Sequence, residues 1–150
     1  MQIPFPMSLY TFHATLHARP PGVMPGPAWS FAGQNLATLA VSSGELASPL
    51  PVSFEEAAER LARLERMFVE PDGSFVWVSA RTDAQWQVDG NLYDRNGKLL
   101  FVDLKGTCPA AEFDRLLTAF GWPAAPVMFQ IVQAAVFLDE AEFRKCAQKK

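Results

Sequence analysis

The run WQVDGNLYDRNGKLLFVDLKGT, residues 86–107, constrains the fold more than any other stretch. Residues 86–93 and 98–104 are rich in Val, Leu, Phe, Tyr and Trp, which favour strands. Between them lies Asp94-Arg95-Asn96-Gly97. Asp suits the first position of a type I turn, Asn the third, and Gly the left-handed position that follows. The spacing predicts a β-hairpin with a three-residue loop and a glycine bulge. Asp94 then pairs with Lys98, and counting outward sets Asp89 opposite Asp103. Directly paired residues share a face, and Lys105, two residues beyond Asp103, shares it too. A two-residue Asn96-Gly97 type I′ turn is the alternative. It sets Asp89 opposite Leu104 and turns Asp103 to the other face.

Two carboxylates facing each other across a ladder destabilise it. Solvent screening, protonation of one of them, or a cation between them relieves the repulsion. Mg²⁺ takes one or two carboxylates together with waters and substrate phosphates. A lysine beside such a pair orients an attacking water or stabilises a phosphate oxygen. Asp89 and Asp103 are therefore candidate ligands for Mg²⁺ or Mn²⁺, and Lys105 is a candidate catalytic residue.

The remainder reads as scaffold. The 150 residues are 49% hydrophobic and 19% charged, enough for one domain (1–150) with a real core. A net charge of −3 counts against a broad nucleic-acid-tracking surface, though a bound cation can supply positive charge at a small site. Cys108 and Cys146 have no metal-finger spacing and read as reduced, semi-buried thiols. The first ten residues have no basic segment and no unbroken apolar run, so no signal peptide is expected. Pro126 to Leu138 is too short to span a bilayer. A cytoplasmic protein without a membrane span is the expectation.

Residues 1–52 are expected to hold N-terminal strands and Pro-rich loops, 53–138 the core, and 139–150 a short helix and tail. In residues 8–18, Tyr10, Phe12, Ala14, Leu16 and Ala18 alternate with Thr11, His13, Thr15 and His17. This predicts a half-buried strand, hairpin-paired to a second over 35–43, with both histidines toward solvent. Ser53-Phe54-Glu55-Glu56 is a capping box that opens a helix. Pro71-Asp72-Gly73 turns a short strand at 68–70 into another at 74–80, with residues 81–85 as linker. A second helix follows, capped by Thr107 or Cys108, with Phe113, Leu116, Leu117 and Phe120 as its buried stripe. Residues 127–137 read as one buried strand, with a helix from about Met128 as the alternative. Asp139 with Glu142 caps a last helix ending near Ala147. The fold class is α+β: an antiparallel β-meander flanked by two main helices, an αβββαβ-like core, with an N-terminal β-hairpin and a short C-terminal helix.

Over residues 53–132 this order of elements, with Asp89 on one strand and Asp103-x-Lys105 on the next, resembles the PD-(D/E)xK superfamily of restriction-endonuclease-like nucleases. The resemblance implies a metal-dependent phosphodiesterase acting on nucleic acid. Asp89 and Asp103 would be its metal ligands, Lys105 its catalytic lysine, and Glu59 an assisting acid on the first helix. Val88 stands where the motif has proline, and Gln130 and Gln133 lack the tyrosine of the exonuclease branch. Two other readings compete. One is a non-catalytic partner-binding or homodimerising domain, in which Lys105 bridges the carboxylates. The other is a small-ligand pocket lined by Trp77, Trp86 and Tyr93.

Overall fold

The structure, a computed structural model, describes residues 9–80 and 85–148. The linker expected over 81–85 therefore falls almost wholly outside the described residues, as do the first eight residues and the last two. The strands are β1 (Leu9–Ala18), β2 (Met24–Pro25), β3 (Trp29–Phe31), β4 (Gln34–Leu36), β5 (Leu39–Ala40), β6 (Met67–Val69), β7 (Ser74–Val78), β8 (Gln87–Arg95), β9 (Lys98–Pro109), β10 (Val127–Ile131) and β11 (Val136–Asp139). The helices are α1 (Phe54–Ala62), α2 (Ala110–Thr118) and α3 (Glu140–Ala147). Nine strands form one antiparallel sheet in the order β2-β5-β11-β10-β1-β9-β8-β7-β6, and β3 and β4 pair separately. The protein is thus α+β. Among the described residues no helix is long and apolar enough to cross a membrane.

The central strand is a correction to the sequence reading. β1 does not form a hairpin with residues 35–43, which divide between β4 and β5. It runs between β9 and β10, in the middle of the sheet. Its inward residues Tyr10, Phe12, Ala14 and Leu16 are all buried, and so is His17 on the other face. A strand covered on both sides belongs at the centre of a sheet; alternation gives its faces but not its partners.

The three helices cover one face. Ala57 and Leu61 of α1, Phe113, Leu116 and Leu117 of α2, and Phe143 and Ala147 of α3 share one core with Phe12, Leu16, Val88, Val102 and Phe129 of the sheet. Phe143 stacks on Phe129 at 3.9 Å between ring centroids and on Phe113 at 5.6 Å. Arg144 closes this cluster from outside. Its guanidinium meets Asp114 at 2.7 Å and Glu140 at 2.8 Å and lies over the rings of Tyr10, Phe113 and Trp122. Parts of α2, α3 and β1 are pinned together by that one side chain.

Local signals explain most helix ends. The Ser53 Oγ accepts from the Glu56 N–H at 3.0 Å, and the Glu56 carboxylate accepts from the Ser53 N–H at 3.5 Å, as the capping box requires. Asp139 caps α3 through the Glu142 N–H at 2.9 Å. α2 differs from expectation: Thr107 and Cys108 do not cap it, and its N-cap is Pro109. Thr107 pairs with both Thr11 and Gln87, so the ladder carries β9 up to the helix without a loop. The strand expected over 127–137 is two strands joined at residues 132–135, where Ala135 takes a positive φ of 57°.

Candidate functional site

The hairpin turn decides which charged groups meet. Asn96 and Gly97 both have positive φ, 55° and 82°, as a type I′ turn needs. Arg95 pairs with Lys98 and Asp94 with Leu99. The three-residue loop is therefore corrected to a two-residue one. Asp94 instead accepts the Gly97 N–H at 3.3 Å. Past Asp94 the register shifts: Tyr93 pairs with Phe101, leaving Leu100 as a bulge residue. Asp89 then stands opposite Lys105, and Asp103 opposite Asn91. The turn and the bulge each move the register by one residue, so together they restore the faces. Asp89, Asp103 and Lys105 do lie on one face, the helix-free one, but no two carboxylates are directly paired. Gln87 donates to Asp89 at 2.8 Å, and the Tyr93 hydroxyl donates to Asp103 at 3.4 Å.

Glu59 is not with them. It is exposed on α1, between the buried Ala57 and Leu61 that face the core, so the sheet separates it from Asp89 and Asp103. Asp89 and Asp103 share the helix-free face without being paired, and each already accepts a side-chain hydrogen bond, from Gln87 and from Tyr93. Among the described residues no cluster of three or more His, Cys, Asp or Glu side chains is placed to add a further donor. The tryptophan-lined pocket does not form either. Trp77 is buried on the helix side, donates to the Glu65 carbonyl at 3.1 Å and packs edge-on against Trp86. Tyr93 points to the opposite face and stacks on Phe101 at 4.5 Å.

The two histidines share the helix-free face yet differ. His13 is exposed and pairs with Lys105. His17 is only 8% exposed, against the solvent position expected for it. Its ring stacks on Phe101 at 5.5 Å and meets Phe137 edge-on at 5.8 Å. Its Nε2 lies 2.7 Å from the Thr15 hydroxyl, and Nδ1 has no partner among the described residues. Burial pushes its pKa down from 6.5 to about 4.

A recess beside β1 gathers the remaining chemistry. β9 pairs with β1 from Leu9 to Leu16, but β10 pairs only from Ala14 to Ala18. The β10 side of the ladder ends with the Val132 N–H donated to the His13 carbonyl at 3.2 Å, and pairing on that side resumes only at Tyr10, which bridges Gln148 just past α3. The gap left beside Thr11 and His13 is bounded by the end of α3 and by Phe31 of the β3–β4 hairpin. It is a cavity of about 330 Å³. Phe12, Phe31, Ile131 and Phe143 form its apolar walls, Thr11, His13, Gln133 and Lys105 its polar rim, and Cys146 and Ala147 its α3 side. Phe31 and Cys146 carry no sequence signal for this placement, because the recess joins residues from five separate segments of the chain. Cys108 and Cys146 are both free. Burial pushes the thiol of Cys108 up to about 12 and also raises that of Cys146.

Another cavity, of about 410 Å³, lies among Pro27, Trp29, Leu39 and Phe137, with no charged side chain in its wall. Its Thr38 hydroxyl is already donated to the Pro27 carbonyl at 2.6 Å. In comparisons with protein-family models, curated proteins and solved structures, nothing matches the chain.

The burial of His17 predicts a pH dependence of stability. The unfolded chain takes up a proton near pH 6.5, and the folded chain only near 4. Its contribution is complete above 6.5 and is lost as pH falls through that window. At about 1.4 kcal/mol per pH unit this amounts to on the order of 3 kcal/mol. Denaturant unfolding of wild type and His17→Leu between pH 7 and pH 4 should show a steeper loss in wild type. Parallel curves would contradict a neutral buried imidazole.

Proposed function

We propose that the protein is a non-catalytic small-ligand-binding domain whose site is the recess beside β1. The carrying observation is the cavity itself, with apolar walls and a few convergent polar groups at its rim. Ligand sites have this composition and start at about 300 Å³. A position at the interruption of a central strand's pairing also suits binding, since the surrounding sheet is rigid. Cys146 in the wall makes the site directly readable. A panel of C6 to C10 alcohols and carboxylates should slow modification of Cys146 by a thiol reagent several-fold, with Cys146→Ala assigning the signal. Unchanged Cys146 reactivity across the whole panel would sink this reading.

A metal-dependent phosphodiesterase is the second reading, and the shared face of Asp89, Asp103 and Lys105 favours it. Asp89 and Asp103 would hold Mg²⁺ or Mn²⁺, and nucleic acid would lie across the helix-free face. Here millimolar Mn²⁺ should raise the thermal midpoint of wild type and leave Asp103→Asn nearly unmoved. If both proteins ignore the ion, this second reading is withdrawn.

A further inference from the structure

The walls of the recess specify more than its size. Among the described residues no carboxylate lines it, and the one permanently charged residue that does is Lys105, in a chain whose net charge is −3. Although Asp89 is the register partner of Lys105, no ion pair within 4.0 Å joins them, and Asp89 is engaged by the Gln87 amide at 2.8 Å. The ammonium thus stands at the rim of an apolar cavity without a counter-ion among the described residues. An occupant that displaced water from the rim without supplying negative charge would strip hydration from that ammonium and return nothing.

We propose that the recess binds an anionic amphipath: a small molecule with an apolar body of about six to ten carbons and one terminal carboxylate. The body lies against Phe31, Ile131 and Phe143, and the carboxylate meets Lys105, with His13 and Thr11 beside it on the same rim. One ammonium balances one carboxylate. A phosphate carries more charge than a single lysine neutralises, and among the described residues Lys105 is the one permanent cation lining the cavity. A cationic amphipath would oppose Lys105 directly. This inference rests on the recess being a ligand site and adds the charge and polarity of what enters it.

The test measures binding of octanoate, octanol and octylamine, each by protection of Cys146 and by calorimetry, to wild type, Lys105→Met and Lys105→Arg. Lys105 is exposed, so the variants should fold, and their thermal midpoints check this. Octanoate should bind wild type at least tenfold more tightly than octanol, and octylamine most weakly. Lys105→Met should abolish the preference for octanoate over octanol, while Lys105→Arg keeps most of it. Equal binding of octanol and octanoate to wild type would overturn the anionic class while leaving the recess as a ligand site. So would a preference for octanoate that survives in Lys105→Met. If none of the three binds, the recess reading falls with it.

Discussion

β1 shares a ladder of eight register pairs with β9 but only five with β10, and the rest of the molecule is arranged around that inequality. Where both neighbours are present, the strand is covered on its inner face by the helices and on its outer face by the rings around His17. Where β10 ends, α3 and the β3–β4 hairpin close in from the side without completing the ladder. Backbone groups in a sheet must find partners or water, and between the Tyr10–Gln148 bridge and the start of β10 the strand faces a solvent-reachable recess at Thr11 to His13. Apolar side chains from the core reach this recess from one face of the sheet and Lys105 and His13 from the other. A complete strand β10 would have filled it.

The hairpin illustrates how narrowly side-chain placement depends on turn chemistry. A type I′ turn alone would have sent Asp103 and Lys105 into the core, where an uncompensated charge is costly. The bulge at Leu100 reverses this with one inserted residue, and the buried Val102 and Leu104 are the stabilising counterpart of the exposed charges. Opposite charges, Asp89 and Lys105, then occupy the paired positions. The helix-free face carries its own row of rings, Tyr93, Phe101, His17 and Phe137, in contact across the strands. That row accounts for the burial of a histidine on a face read as solvated.

What could be read from the residues follows the range of the interactions. The α1 capping box, the Phe113-Leu116-Leu117-Phe120 stripe and the Pro71-Asp72-Gly73 turn are local patterns, and each appears where its pattern puts it. The turn at 94–97 was ambiguous because Asp94 fits a type I turn while Asn96-Gly97 fits type I′. The bulge that resolves the faces leaves no composition signal. The place of β1 was not legible, because pairing Thr11 with Thr107 or Leu16 with Phe129 joins segments about a hundred residues apart. The same holds for the lining of the recess: Phe31, Ile131 and Cys146 come together only once the sheet is assembled. Glu59 shows the opposite error: helical position was known, but not which face of the sheet the helix would cover.

The most direct test of the account is to titrate the ¹⁵N-labelled protein with octanoate and map the amide shifts. Saturable shifts should centre on Thr11 to His13, Lys105, Ile131 to Gln133 and Cys146, residues that only this fold brings together. Shifts centred on Trp29, Leu39 and Phe137 instead, or scattered without saturation, would contradict the assignment of the recess beside β1 as the working site.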